Sequence, residues 1–468
     1  MPGPKAQRFD RRITEGPLPA AVWHLAWPTI IQNMIGGLQG MVDHTMVGHV
    51  VGYRGNAAIG VSWQIFLVVI VFIASLFAGQ AVLVARFAGA GDSEKVNRTV
   101  LQAFLTALAM YFVMAPIGYF ASPVLLDLVH AAPEVKALAL PFLRVNFTGS
   151  IGMLLFFMLT SALRAAGDAR TPLRLGLTMT VLNVIFNLIL IPGLGPIPAL
   201  GTMGSAIGTV TASTLVSSYA LWHLSRGDCV VQITRQMDWR PDWAIIRALF
   251  RFGLPTGVQG IAMNVAGVML LRFIGSLEES AAAQAAYAIG YTELFSMITW
   301  TSVGLMGAAA TIAGQNLGAG HPERAVQGVH AASRIGLSVA AIVGLMFIAI
   351  PNVLLGIFGA TVEGVSDIGR QLLQYLAVSG FFITVALTYT GGLQGTGDTR
   401  SPLYITLVSQ ILIPIGLCTA FQAGGRFEAS DIWLSIVLGH FTRSLLSIIR
   451  FRQGKWRHIK VEIESVHA

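Results

Sequence analysis

The stretches Leu25-Ala26-Trp27-Pro28 and Met41-Val42-Asp43-His44 lie in one apolar run, from about Ala20 to Val47. As an α-helix that run rises about 40 Å, enough to cross a bilayer. It holds one acid, Asp43, and an internal proline, Pro28. An acid within a spanning helix is costly and marks a functional-site hypothesis. A proline removes one helical hydrogen bond and gives the helix a place to bend. The two together are the parts of a switch, and the rest of the chain reads as its housing.

Similar runs follow along all 468 residues, of which 54% are hydrophobic and 11% charged. The mean hydropathy is +0.69. Apolar blocks of this length predict an all-α, multi-pass membrane protein. The alternation of an outer-membrane barrel is absent. Twelve spans are predicted, near 20–47, 57–84, 99–120, 141–163, 171–191, 203–224, 249–274, 286–314, 332–358, 370–393, 401–422 and 430–451. No short apolar core with a cleavage site precedes them, so the first span is expected to be its own insertion signal. Cys229 falls in a loop and Cys418 in a span, which makes neither a disulfide framework nor a metal site.

Of the 30 lysines and arginines, 23 fall on the side of the membrane that holds both termini, six on the other, and Arg443 inside the last span. That bias places both termini in the cytoplasm. The net charge of +8 is then positive-inside charge, and no nucleic-acid partner is expected. The chain divides into a cytoplasmic segment 1–19, a first lobe 20–224, a linker 225–248, a second lobe 249–451 and a tail 452–468. The linker, with Arg226, Arg235, Arg240, Trp239 and Trp243, reads as an amphipathic membrane-surface segment.

The two lobes repeat one another. Leu163, Gly167-Asp168, Arg170 and Pro172-Leu173 recur as Leu393, Gly397-Asp398, Arg400 and Pro402-Leu403. Gly89-Ala90-Gly91 recurs as Gly318-Ala319-Gly320, and Pro28-Thr29 with Gln32 recurs as Pro255-Thr256 with Gln259. Three anchors in one order at nearly constant offset indicate a duplicated six-span unit. Six is even, so the repeats are parallel, with a central site expected between them. No phosphate loop, HExxH, CxxC or nucleophile elbow is present, which argues against ATP-driven transport by this chain and against the enzyme classes those motifs serve.

Taken together, these motifs resemble the multidrug and toxic compound extrusion family of antiporters. The resemblance runs from about Leu18 to Arg450. It rests on Trp27-Pro28 with Val42-Asp43, Gly89-Ala90-Gly91-Asp92, Leu163-Arg164 with Gly167-Asp168, Pro255, Gly314-Gln315-Asn316-Leu317-Gly318-Ala319-Gly320 and Gly397-Asp398-Thr399. It implies two six-helix lobes forming a V-shaped cavity that alternates access. It also implies export of small organic, often cationic, compounds in exchange for protons or sodium. No other cofactor is expected. A monomer among membrane lipids, in a bacterial inner membrane, is the expected setting.

Asp43 resembles the first-span aspartate of that family, and Pro28 the hinge of the branch in which protonation bends this helix. A carboxylate held out of water is suited to taking up a proton; the alternative is an acid that reaches the headgroups. Asn183 and Asn187 stand one turn apart on the fifth span and share a face. The family often has an asparagine and an acid there, facing the first-span aspartate. Two amides can bond Asp43 in either protonation state, or simply glue helices together. Thr209 on the sixth span is a further member. Glu293 in the eighth span is placed like an acid of the eukaryotic branch; the alternative is a structural acid paired with Arg272 or Arg443. Gln32, Asn33, Gln39, Gln64, Tyr287, Tyr291 and Trp300 are candidates for cavity lining or for helix packing.

The sequence departs from one branch of the family at two places. The glutamate eight residues after the seventh-span proline is Met263 here, and no acid lies between Phe381 and Gly392. Sodium wants several hard oxygens, so the expectation is proton coupling. Lipid-linked precursor flipping is the alternative activity, within the same broader superfamily; the few arginines in the spans count against it. A channel fits the duplicated lobes with lone acids less well, and a prenyl-transfer enzyme lacks its paired acids.

Overall fold

The structure is a computed structural model that describes residues 9–227, 229–234, 236–358, 363–425 and 427–461. Lys5, Arg8, Arg235 and Arg426, which entered the charge count, lie outside the described residues. Among the described residues every regular element is a helix. The first repeat comprises α1 (Leu18–Val50), α2 (Tyr53–Gly89), α3 (Ser93–Leu128), α4 (Pro133–Thr148), α5 (Ser150–Ala165), α6 (Arg170–Leu190) and α7 (Gly201–Arg226). The second comprises α8 (Trp243–Gly275), α9 (Ser280–Tyr287), α10 (Ser296–Gly318), α11 (Pro322–Ala349), α12 (Pro351–Ile357), α13 (Glu363–Gly395), α14 (Arg400–Thr406), α15 (Ile413–Ala423) and α16 (Ala429–Arg452).

These helices make up the twelve spans, with four local departures from the sequence reading. The fourth span is a pair, α4 and α5, bent by 51°. The break falls at Gly149, where an added Cβ would lie 2.2 Å from Val210 of α7, so the kink lets that helix approach. The ninth span starts earlier than 332 and stops at Ala349. Pro351 cannot continue its hydrogen bonds, and the short α12 follows at a new angle of the backbone. The eighth and eleventh spans each contain a π-helical segment, Ala288–Leu294 between α9 and α10 and Leu407–Leu412 between α14 and α15. π-Segments are rare and often accompany function.

Among the described residues, nine helices and the bent pair are long and apolar enough to cross a membrane; α1 and α7 fall short of that standard. α1 carries Gln32, Asn33, Gln39 and Asp43, and α7 is rich in glycine, serine and threonine and carries Thr209. A span that turns a polar face toward other helices rather than lipid needs less hydrophobicity.

By contacts the chain forms two compact units. The first contains Ile31–Gly257; the second contains Arg11–Ile30 with Val258–Val461. Each unit therefore keeps five and a half spans of one repeat and takes the start of the first helix of the other, a division different from lobes at 20–224 and 249–451. The boundaries fall just after Pro28 and Pro255. Close helix contacts account for the exchange. In the first unit a Cβ on Gly257 of α8 would meet Ser75 of α2 at 2.6 Å. In the second a Cβ on Gly304 of α10 would meet Ile30 of α1 at 2.5 Å. These are the same contact in the two repeats, with the glycine on opposite partners.

The segments that lead into α1 and α8 are fastened in parallel ways. Asn316 Nδ2 donates to the Ile13 carbonyl at 3.1 Å, and the Ile13 side chain is fully buried. Gln102 Nε2 donates to the Arg240 carbonyl at 2.8 Å and its Oε1 accepts from the Asp242 N–H at 2.9 Å. Arg98 pairs with Asp242 at 2.7 Å, and Val231 and Ile233 of the linker are buried. The linker is thus an irregular strap stitched to α3, not a surface helix, until α8 begins at Trp243.

The repeated Gly-Asp loops are turns and caps. Gly167 and Gly397 have φ of 102° and 99°, a region that favours glycine. Asp168 accepts from the Thr171 N–H and hydroxyl, and Asp398 from the Ser401 N–H and hydroxyl, at the start of α6 and α14. Asp92 does the same for α3 through the Lys95 N–H, while His321 stands at its place in the second repeat. Burial works against the Asp92 charge, but the Lys95 N–H and ammonium outweigh it and hold that carboxyl below the ordinary range. Asp398 differs in also pairing with Arg450 at 2.8 Å while only 5% exposed. Asp398→Ala is expected to lose about 2–3 kcal/mol, the lower end for a broken buried pair because Arg450 reaches solvent. Asp168→Ala should lose about 1 kcal/mol, the value of a cap. Thermal melting in detergent checks the difference.

Candidate functional site

In the first unit, α1, α6 and α7 bring four polar side chains into one hydrogen-bonded chain. Asn187 Nδ2 donates to Asp43 Oδ1 at 2.7 Å and to Asn183 Oδ1 at 3.3 Å. Asn183 Nδ2 donates to Thr209 Oγ1 at 2.9 Å, and Thr209 in turn donates to the Ser205 carbonyl at 3.1 Å. Asn183 and Asn187 are fully buried, and Asp43 is half-buried at one end. The order of donors gives the chain a direction: both amide hydrogens of Asn187 are used, and its Oδ1 is buried with no hydrogen-bond partner. An unsatisfied buried acceptor costs about 1–3 kcal/mol. That acceptor beside a carboxylate is satisfied only if a donor arrives.

Two more hydrogen bonds hold the second half of α1, one to α6 and one to α5. Thr180 Oγ1 donates to Gln39 Oε1 at 2.8 Å. Gln32 lies against Gly176 and accepts from Arg164 Nη1 at 3.2 Å. Gln32, Gln39 and Asp43 share one face of α1, so this half of the helix is held below Pro28 by two polar contacts to α6 and one to α5. Gln32 has a repeat counterpart: Gln259 Nε2 donates to Thr406 Oγ1 at 2.9 Å and its Oε1 accepts from Gln394 at 3.1 Å. Asp43 has none, since Leu270 stands at its place.

Gly208 of α7 belongs to the site and was not singled out from the sequence. A Cβ there would stand 2.3 Å from Asn187 Oδ1. Only glycine lets the Asn187 amide lie between α6 and α7. The one sequence signal was its position beside Thr209.

In the second unit, Glu293 sits in the π-segment, half-buried, and pairs with neither Arg272 nor Arg443; it makes no ion pair among the described residues. The π-turn is marked by the Phe295 N–H bonding the Gly290 carbonyl at 2.9 Å. It aligns Tyr287, Tyr291 and Phe295 in a column. Tyr287 and Tyr291 stack with centroids 4.9 Å apart, Trp433 of α16 extends the stack at 6.1 Å beyond Tyr287, and His440 stacks on Phe295 at 6.1 Å.

The sequence profile of the MatE family matches residues 28–189 and 255–419, one stretch in each repeat and well over half of the chain together. The chain belongs to the MatE family. Among curated relatives, a probable multidrug resistance protein NorM from Thermotoga maritima is 24% identical over 436 residues, covering 92% of each chain. A multidrug resistance protein MdtK from Yersinia pseudotuberculosis is also 24% identical, covering 92% of this chain and 94% of that one. Among solved structures, a multidrug resistance MATE family transporter of the MOP superfamily, in an outward-facing conformation, superposes with a TM-score of 0.89. It is 20% identical and covers 97% of this chain and 100% of that one, so the fold is shared.

Within this MatE fold the remaining candidates scatter. Asn33 is half-buried with its Nδ2 unpartnered. Gln64 is exposed on α2, and Trp300 is half-buried on α10. Among the described residues no hydrogen bond or ring stacking ties Asn33 or Gln64 to the Asp43 chain.

Proposed function

We propose that this MatE protein is a secondary active exporter of small organic compounds, often cationic, that exchanges them for protons through Asp43. The observation that carries the reading is the hydrogen-bond chain from Asp43 to Thr209. With Asp43 ionised, Asn187 donates to it. When Asp43 takes a proton its hydroxyl becomes a donor, and the unpartnered Oδ1 of Asn187 is the acceptor within the same amide. The amide then turns over, and Asn183 and Thr209 lose or regain a donor in step. The α1–α6 contact is thereby different in the two protonation states, and Pro28 is where α1 bends in response. A positively charged substrate favours the ionised acid and a proton removes it, so the two exclude each other, as antiport requires. The relatives named for multidrug resistance support the substrate class. A single carboxyl with amides around it suits a proton better than sodium. The setting is a bacterial inner membrane with both termini in the cytoplasm, and the two repeats act within one monomer.

The test is counterflow in proteoliposomes with imposed gradients. Efflux of a fluorescent organic cation should follow a proton gradient and persist without sodium. Sodium-driven efflux at constant pH would replace the proton. No drug movement together with scrambling of lipid-linked sugars would replace export with lipid flipping.

Glu293, an unpaired acid in the second unit, serves the cationic group of the substrate in this reading. Glu293→Gln removes its charge at nearly constant volume. Transport of cations should fall about 10-fold, and neutral compounds should be little affected, because a hydrogen-bonded charge contributes about 1.5–3 kcal/mol. Equal loss for both, with normal folding, would make the acid structural.

A further inference from the structure

Arg443 is 4% exposed near the middle of α16, and it makes no ion pair and no hydrogen bond among the described residues. Its Nε is buried outright without a partner. A guanidinium carries five N–H donors and stays charged, and a charge at this depth of a spanning helix is kept only with compensation. Glu293, the one acid inside the spans of this unit, does not supply it. The surroundings are built and polar on one side. Arg443 follows His440 by about one turn of α16, and the His440 ring stacks on Phe295, whose ring lies 5.4 Å from that of Tyr291. The Tyr291 hydroxyl also makes no hydrogen bond among the described residues, and Tyr291 is half-buried. His440 Nδ1 is engaged by the Ser379 hydroxyl at 2.5 Å, which fixes the ring against Phe295.

Among the described residues there are two π-segments, and both meet α16 at this level. His440 stacks on Phe295, at the end of the first. The second comes so close that a Cβ on Gly439 would lie 2.6 Å from the Ser409 carbonyl. The repeat counterparts of both segments, in α2 and α6, are plain α-helix. So is the counterpart of Arg443 uncharged, since Ser213 or Thr214 stands there in α7. The first unit thus holds a lone acid and the second a lone buried cation, each without a mate in its repeat.

We propose that Arg443, with the Tyr291 hydroxyl, is a binding site for one anionic group, either the carboxylate of a substrate or a halide. The guanidinium and the phenol both lack a hydrogen-bond partner among the described residues, and a monovalent anion is the chemistry that both compensates the charge and accepts from the two of them. The carboxylate source rests on the transport reading above, and there it selects substrates that carry an acid as well as a base. The halide source does not rest on that reading.

The test uses the purified full-length protein in nanodiscs, with tyrosine and tryptophan fluorescence and thermal melting as readouts. Chloride and benzoate are titrated separately, with ionic strength held by sulfate. Saturable stabilisation and a fluorescence change are expected with at least one of them in the wild type and neither in Arg443→Gln. Response to chloride assigns a halide; response to benzoate alone assigns a carboxylate. Arg443→Gln should melt no lower than the wild type in sulfate, because it removes an uncompensated charge. If Arg443→Gln does not fold, Arg443→Lys and Tyr291→Phe replace it, each expected to raise the half-saturating concentration about 10-fold. No saturable response in the wild type, or an unchanged response in the variants, overturns the proposal. Uptake of an amino-carboxylate drug against its methyl ester then separates the two readings. Failure to move either compound counts against export and leaves the anion titration standing.

Discussion

Asp43→Asn is expected to abolish gradient-driven export, by roughly 100-fold or more, while insertion and folding stay normal. An asparagine cannot ionise, so it holds the site in one of its two states, and a cycle that needs both stops. Asn187 keeps a carbonyl acceptor at position 43, so the α1–α6 contact survives and melting in detergent should change little. Binding of a substrate cation should weaken as well, because the charge it exchanges against is gone. Pro28→Ala separates the proton from the bend: turnover should slow while equilibrium substrate binding changes less. Full activity in Asp43→Asn would remove the carboxyl from the mechanism, whatever Pro28→Ala does.

Gly208→Ala is expected to break the Asp43–Thr209 chain with a single methyl group. It places a carbon where Asn187 Oδ1 now stands, at 2.3 Å. The amide must turn away from α7, which breaks its bonds to Asp43 and Asn183 together. Overpacking of this kind costs about 1–3 kcal/mol in stability, and export should fall roughly 10-fold or more because the chain is interrupted at its middle. Gly416→Ala on α15, where nothing lies within 4 Å of the new carbon, is the control and should be silent. Asn187→Ser makes room at the same place, so Gly208→Ala should harm melting far less in that background than in the wild type. Such non-additivity is the mark of direct contact. Additive losses would mean that Gly208 acts elsewhere.

Much of this protein is legible in one dimension. A spanning helix is a run of apolar residues of set length, so the spans could be placed from hydropathy, and an acid or proline inside one stands out. The duplication is likewise readable, because turns demand glycine and caps demand Asp with Ser or Thr at fixed offsets; Gly167-Asp168 and Gly397-Asp398 occupy the same turns in both repeats. Helical periodicity also put Asn183 and Asn187 on one face. What periodicity leaves open is which neighbour that face meets. Only packing decided that Asn187 touches Asp43 with both its hydrogens spent and its oxygen unpartnered, because the direction of a hydrogen bond depends on three helices at once. Gly208 is silent in sequence for the same reason: a missing side chain has meaning only through the atom that fills its space. The exchange of half-helices at Pro28 and Pro255, the π-segments and the unpaired state of Arg443 also belong to the tertiary structure. Each depends on contacts between residues far apart in the chain, and local propensity carries no record of those contacts.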